Sequence, residues 1–178
     1  MGQRCCDVGW NVIECKASTK GVEERIGMAE EAKETVDLYG EYRFKVDAKG
    51  RMSLPAKFRK VLSTELVVTP SPDDECLYVF DEGEFDKWVA QLFDDRFGGY
   101  VSTNKVHQGL KRKLNSRAAD VQVDAAGRIM LAAKQRECAG MGKDVVIVGN
   151  TGYFEVWDAK RYDEMDAQVD LDLLFSQS

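Results

Sequence analysis

The pattern D-x-x-x-R occurs twice in this chain, once within VDAKGRMSLPAKFR and once within VDAAGRIMLAAKQR. The aspartate can accept hydrogen bonds from backbone amides two residues later, and the glycine before the arginine can adopt a positive φ without a Cβ clash. Each stretch therefore predicts a tight turn that projects an arginine. The residues of the two turns are Asp47, Gly50 and Arg51, and Asp124, Gly127 and Arg128.

The first arginine has the most specific chemistry. A guanidinium presents a planar fork of donors that matches O6 and N7 of guanine in the major groove of DNA, so Arg51 is predicted to read a base. Lys49, Arg43 and Lys45 are predicted to contact phosphates, which set register and give affinity that falls with salt. Asp47 is predicted to shape the turn and orient the arginine.

The second turn has two equal interpretations. Arg128 is expected either to pair with Asp124 or a neighbouring subunit, or to contact DNA. Ala126 stands where the first turn has Lys49, so we expect the second turn to contact DNA more weakly.

The charge distribution favours the first turn. The whole chain carries a net charge of -6, which taken alone argues against a nucleic-acid partner. Residues 41–60, however, hold seven basic and two acidic side chains, whereas the equivalent residues 118–137 hold three of each. Screening acts over about 8 Å at physiological salt, so a phosphate beside the first copy would respond to this local patch. A further basic stretch contains Lys105, Lys111, Arg112, Lys113 and Arg117.

The similarity between the two stretches continues beyond the turns. At the same offset, LYVFD from Leu77 matches FEVWD from Phe154, so the chain contains two copies of one supersecondary unit. Each unit is predicted to run strand, turn, short strand, short helix and hairpin, with Pro55 opening the first short helix. Four short strands cannot bury both faces of a sheet, so we expect the two units to interleave into one closed barrel.

Helices are predicted between and after the units. One apolar stripe consists of Phe85, Trp88, Val89, Leu92 and Phe93, and FGG at 97–99 ends that helix. A second stripe consists of Val106, Leu110 and Leu114. Both stripes are expected to pack in the core or against another subunit, and a weaker helix follows the second unit.

The predicted fold class is α+β, mainly β. The expected organisation is a leader over residues 1–38, unit 1 over 39–84, connecting helices over 85–117, unit 2 over 118–161, and a C-terminal helix and tail over 162–178. The leader does not fit the repeat and is interpreted as an added, mis-started or disordered segment.

The composition argues against several function classes. The five cysteines have no metal-ligand spacing, and no secretory signal or membrane-spanning length of apolar residues is present, so no metal and a cytoplasmic location are expected. The single histidine, His107, lies on a predicted basic helix and is expected to be exposed. No nucleophile and base stand at a recognisable spacing, so we expect no enzyme activity, no cofactor and no small-molecule substrate.

With GEYRFKVDAKGRMSLPAKFR and VDAAGRIMLAAKQRECAGMGKDVVIVGNTGYFEVWDAKRYDE both in view, the chain resembles the MraZ family of bacterial transcriptional regulators. The resemblance covers residues 39–166 and rests on two copies of the D-x-x-x-R turn in the right order. It implies a double-split β-barrel built from two AbrB-like swapped-hairpin units with flanking helices. It also implies assembly into rings of about eight to twelve subunits.

The resemblance further implies a function at DNA. A member of this family would bind short G-rich direct repeats ahead of its own division and cell-wall operon, usually as a repressor, and would be associated with the nucleoid. The AbrB-like fold also serves antitoxins, so an antitoxin-like or other protein-interaction module is the alternative.

Overall fold

The computed structural model describes residues 37–170 and residue 172 of the chain. The leader expected over residues 1–38 lies outside these residues except for its last two positions. Leu38, assigned to the leader, is only 2% exposed and packs in the main core, while Asp37 forms a β-bridge with Thr151. The folded region therefore includes the end of the expected leader. Within the described residues, no helix is long and apolar enough to span a membrane.

The described residues form eight strands, four α-helices and a 3-10 helix, which confirms an α+β fold made mainly of strands. The strands are β1 (Glu41–Lys45), β2 (Arg51–Ser53), β3 (Glu65–Pro70), β4 (Cys76–Asp81), β5 (Ala119–Gln122), β6 (Arg128–Met130), β7 (Asp144–Gly149) and β8 (Tyr153–Asp158). The helices are α1 (Glu84–Phe97), α2 (Lys105–Arg117), α3 (Ala133–Cys138) and α4 (Ala159–Asp166), and the 3-10 helix is Phe58–Lys60.

The two copies of the repeat exchange strands. The main sheet has the order β1-β7-β8-β4-β3-β5, so β1 of the first copy pairs with β7 of the second, and β5 of the second pairs with β3 of the first. Strands β2 and β6 pair with each other in a separate antiparallel ribbon. The expected interleaving of the two units is therefore confirmed.

The strand pairing leaves the six-stranded sheet open. Within residues 37–170, β1 and β5 lie at its two edges, and β2 and β6 pair as strands only with each other. The reason is local, because the turns after β1 and β5 carry the chain out of the sheet before the next strand begins. The closed barrel expected from the sequence is not found in this pairing of the described strands.

The main core lies between the ribbon and one face of the sheet. Alternation places every second strand residue on this face, and the apolar residues Tyr42, Phe44 and Val46 of the first copy follow this pattern. Phe58 is fully buried near the centre, with its ring centroid 5.3 Å from that of Tyr42 and 5.4 Å from that of Phe154. Other buried members include Met52, Leu54, Leu66, Val68, Leu77, Val79, Ile129, Leu131, Val145, Ile147 and Val156.

Helices cover parts of the opposite face of the sheet. The first predicted stripe is confirmed, because Phe85, Val89 and Phe93 of α1 are buried and α1 ends at Phe97 as expected. The second stripe is only partly confirmed. Leu114 packs against this cluster, whereas Val106 is 64% exposed and Leu110 is 41% exposed.

The expectation of an exposed histidine was wrong. His107 is 5% exposed, and its Nδ1 accepts a hydrogen bond of 3.1 Å from the backbone N–H of Val101. Its ring lies against Phe97 and Phe93, at centroid distances of 4.6 Å and 5.4 Å. The helical period places His107 and Leu114 on one side of α2, and the connection between the helices turns that side toward α1.

The short helices also differ from the prediction. The first copy, which contains Pro55, has only the three-residue 3-10 helix, whereas the second forms the six-residue α3 without a proline. In the first copy, the N–H groups of Val61 and Leu62 both bond to the carbonyl of Phe58, which ends the helix within one turn.

Candidate nucleic-acid interface

The first turn, residues 47–51, is organised by Asp47. Its Oδ1 accepts hydrogen bonds from the backbone N–H groups of Lys49, at 2.8 Å, and Arg51, at 2.9 Å. Its Oδ2 accepts from Nε of Arg51 at 2.7 Å and lies 2.7 Å from Nη2. Gly50 has a φ of +83°, which an L side chain rarely adopts. The sequence prediction of a tight turn in which Asp47 orients Arg51 matches this geometry.

The second turn, residues 124–128, repeats this arrangement. Asp124 Oδ1 accepts from the N–H groups of Ala126 and Arg128, both at 2.9 Å, and its Oδ2 accepts from Nε of Arg128 at 2.9 Å. Gly127 has a φ of +72°. Arg128 is thus paired with Asp124, one of the two alternatives that the sequence left open. DNA contact by Arg128 stays a prediction, because an arginine has further donors.

The paired arginines keep a free edge. A guanidinium has five N–H donors, and Asp47 uses those on one side of Arg51, at Nε and Nη2. The end of the guanidinium, formed by Nη1 and the second hydrogen of Nη2, is not used by any hydrogen bond within residues 37–170. Arg51 can therefore be held in place by Asp47 and still present a two-pronged donor edge to a base.

The ribbon β2–β6 carries both arginines on its outer face. Met52 and Ile129 are paired across the ribbon and are each 1% exposed, so their neighbours along the strands point outward. Arg51 faces Met130 across the ribbon, and Arg128 faces Ser53. The two arginines are diagonal neighbours, with Cα atoms about 7–8 Å apart.

The residues predicted to contact phosphates fall into two groups. Lys49 lies in the first turn, and its side chain is exposed. Arg43 and Lys45 lie on the side of β1 opposite to its core-facing residues. There, Arg43 Nη2 is 2.7 Å from Asp163 of α4, and Lys45 Nζ is 3.4 Å from Asp144. The structure therefore brings Lys49 together with Arg51 but does not bring Arg43 or Lys45 to the ribbon, and phosphate contact by these three residues stays a prediction.

Two arginines that were not predicted from the sequence as site residues each lie at the turn of the opposite copy. Arg59 packs over Gly127, where an added Cβ would collide with its Cδ. Arg136 packs over Gly50, where an added Cβ would lie 3.2 Å from its Nε and Nη2. The only sequence signal was that Arg59 and Arg136 occupy matching positions in the repeat. Each turn is therefore completed by an arginine from the opposite copy.

The turn hydrogen bonds lower the pKa of both aspartates. The bond from the backbone N–H of Arg51 is the main cause that lowers the pKa of Asp47 to about 2, with smaller contributions from the Arg51 side chain and the N–H of Lys49. The side chain of Arg128 is the main cause that lowers the pKa of Asp124. Both carboxylates are therefore charged at neutral pH.

The Asp47 pKa predicts acid sensitivity of the first turn. Because the folded pKa, about 2, lies below the usual 3.8, ionised Asp47 stabilises the fold above pH 4, and this contribution is lost as pH falls toward 2. An asparagine at this position would keep an acceptor for the backbone but would have no charge to titrate. We expect the difference in Tm between wild type and Asp47→Asn to shrink from pH 5 to pH 2 in thermal melts. A constant difference over that range would contradict this assignment.

Comparison with known proteins identifies the family. The family model for the MraZ protein, whose description adds a likeness to antitoxins, matches residues 38–98 and 114–175. The chain belongs to the MraZ family. The first matched segment contains the first copy of the repeat and all of α1, and the second runs from the end of α2 through the second copy and α4. Each matched segment therefore contains one D-x-x-x-R turn.

Named members of the MraZ family match most of the chain. The transcriptional regulator MraZ of Lachnoclostridium phytofermentans is 38% identical over 136 residues, which cover 74% of this chain and 92% of the relative. The MraZ of Saccharopolyspora erythraea is 37% identical over 123 residues, which cover 69% of this chain and 82% of the relative. The MraZ of Roseiflexus castenholzii is 34% identical over 139 residues, which cover 78% of this chain and 93% of the relative.

Proposed function

We propose that this protein is a sequence-specific DNA-binding transcriptional regulator that represses its own division and cell-wall operon. Its operator would consist of short G-rich direct repeats ahead of that operon. The observation that carries the proposal is the outer face of the β2–β6 ribbon, where Arg51 and Arg128 are each held by an aspartate four residues earlier. The names of the relatives, transcriptional regulator MraZ, support the same class of function.

The ribbon suits the major groove, which admits a two-stranded antiparallel ribbon. Arg51 would present its free Nη edge to O6 and N7 of a guanine, while Asp47 holds the other edge. Lys49 would contact a neighbouring phosphate. The spacing of Arg51 and Arg128, about 7–8 Å on the diagonal, is close to two base-pair steps of about 3.4 Å. Two guanines about two steps apart are therefore the natural target of one ribbon.

The proposal includes assembly. One ribbon makes few contacts, so tight binding would require several subunits on repeated sites, where linkage raises the effective concentration. The resemblance to the MraZ family implies a ring-like homo-oligomer of about eight to twelve subunits, and we infer such an assembly, acting at the nucleoid in the cytoplasm. We also infer that the interleaved sheet and ribbon correspond to the double-split barrel of AbrB-like units.

A second candidate function is that of an antitoxin-like module that binds another protein. The family description, with its likeness to antitoxins, favours keeping it. In that case, a small protein would co-purify with this chain, and substitutions in the ribbon would leave any DNA affinity unchanged.

The test is fluorescence anisotropy of the full chain on DNA from upstream of its own gene, with a scrambled duplex as control and salt varied. We expect preferential binding to the upstream duplex, with affinity that falls as salt rises. Equal binding to both duplexes, or no binding at low salt, would contradict sequence-specific recognition. A co-purifying protein in the same preparation, without DNA preference, would favour the antitoxin-like alternative.

A further inference from the structure

An open groove lies beside the first turn and is formed by both copies of the repeat. It has a volume of about 370 Å³, and its lining includes Asp47 and Ala48 from the first copy and Arg136, Gly142 and Lys143 from the second. The backbone holds the two copies together here, because the N–H of Val46 donates to the carbonyl of Lys143 at 2.8 Å. The groove is therefore a fixed feature of the interleaved fold, located next to the turn that projects Arg51.

The basic side chains of the groove retain donors for a ligand. Arg136 donates from Nε to the carbonyl of Leu131 at 3.2 Å, which holds its guanidinium against Gly50. Its Nη1 and Nη2 groups have no hydrogen-bond partner within the described part of the chain. Lys143 is exposed, and its Nζ forms no ion pair with any carboxylate of residues 37–170. Three or more charge-bearing N–H groups are thus available around one space.

The nearby carboxylates are already occupied. Asp47 accepts two backbone N–H groups at Oδ1 and the Arg51 guanidinium at Oδ2. Asp158, close to the groove through its bond with the N–H of Gly142 at 2.9 Å, uses its other oxygen to accept from the first N–H groups of α4. Asp47 is also neutralised by Arg51. Among the described residues around the groove, Asp158 is the one carboxylate that forms no ion pair. The two positive charges of Arg136 and Lys143 therefore exceed its single negative charge.

We propose that this groove binds a phosphate of the DNA backbone, with Arg136 and Lys143 of the second copy as the donors. The inference rests on the proposed DNA-binding function and adds a site to it. A phosphate held here, beside the turn of Arg51, would fix the position of the ribbon along the groove. It would carry no base information, because every nucleotide has the same phosphate.

The second turn lacks an equivalent site within the part of the chain that the structure describes. Its neighbouring arginine is Arg59, but the residue that matches Lys143 is Thr64, whose carbonyl accepts from the N–H of Val123 at 2.9 Å. Ala126 replaces Lys49 in the turn itself. The first turn therefore has Lys49, Arg51, Arg136 and Lys143 around it, whereas the second has Arg128 and Arg59. The second copy has a lower net positive charge than the first, yet two of its basic residues, Arg136 and Lys143, lie beside the first turn.

The test compares Arg136→Gln and Lys143→Gln with Lys160→Gln. Lys160 is an exposed lysine on α4 that does not line the groove, and its Nζ lies 3.8 Å from Glu164, so its variant makes the same change of charge without removing a groove donor. Anisotropy of each full-length variant is measured on the upstream and scrambled duplexes over a range of salt. We expect Arg136→Gln and Lys143→Gln to weaken binding to both duplexes about threefold to tenfold and to reduce the salt slope by about 1, with unchanged preference between duplexes.

The outcomes separate this site from the proposed function. If wild type shows no preference for the upstream duplex, the proposed function fails. If wild type shows the preference and both groove variants bind like Lys160→Gln with the same salt slope, only the phosphate site is overturned. A changed preference between the duplexes would also overturn it, because that indicates base contact. Arg136 also bonds to the carbonyl of Leu131, the residue after β6, so its substitution affects the support of the ribbon as well as the groove. Thermal melts, and the Lys143→Gln variant, whose side chain forms no such bond, distinguish a lost phosphate contact from a general loss of structure.

Discussion

The Arg51→Ala variant is expected to lose about fivefold to about 150-fold of its preference for the upstream duplex over a scrambled one. One bidentate arginine–guanine contact discriminates between bases by about 1–3 kcal/mol, which corresponds to that range. The loss should fall on the specific duplex, because the scrambled duplex has no guanine at the required place. In contrast to the groove variants, this variant should therefore change the ratio of affinities.

Two further variants sharpen this prediction. Arg51→Lys keeps the charge but has no planar fork, so it should retain salt-sensitive binding and still lose preference. Arg128→Ala makes the same change in the second turn and should have a smaller effect, since fewer cations surround that turn. Anisotropy with both duplexes, together with thermal melts, measures all three. An Arg51→Ala protein that is folded and keeps the wild-type preference would show that Arg51 does not read a base.

The Phe58→Ala variant is expected to reduce the free energy of unfolding by about 3–5 kcal/mol. Phe58 is fully buried, and its ring packs edge-on against Tyr42 of the first copy and tilted against Phe154 of the second. Its removal would leave a cavity between the two copies that the surrounding strands cannot easily fill. A loss of this size is a large part of the stability of a typical domain.

A matched control is Phe97→Ala, which removes the same side chain at a position that is 47% exposed. Phe97 contacts Phe93 and His107 at the end of α1, so its loss should cost no more than about 1 kcal/mol. Urea denaturation followed by tryptophan fluorescence measures both variants. Equal midpoints for the two variants would contradict the assignment of Phe58 to the centre of the shared core.

Local patterns were sufficient to predict most elements. Alternation of apolar and basic residues predicted β1, pairs of apolar runs joined by polar turns predicted the two hairpins, and the stripe of Phe85, Val89 and Phe93 predicted α1. Each of these patterns depends on residues that are near neighbours in the chain. His107 was misplaced for a different reason. Whether a helix buries the side of Val106 or that of His107 depends on the direction in which the preceding connection returns toward α1, and the pattern of α2 alone does not determine that direction.

The sequence by itself determined the repeat, the two aspartate–glycine–arginine turns and the family, since all of these are written in short stretches at constant offset. Only the tertiary structure decided which residues surround each turn. It turned Arg43 and Lys45 toward the carboxylates of Asp163 and Asp144, and it brought Arg136 of the second copy against Gly50 of the first. The physical reason is the exchange of strands, because neighbours across the β2–β6 ribbon and along β1–β7 come from opposite copies that are far apart in the chain.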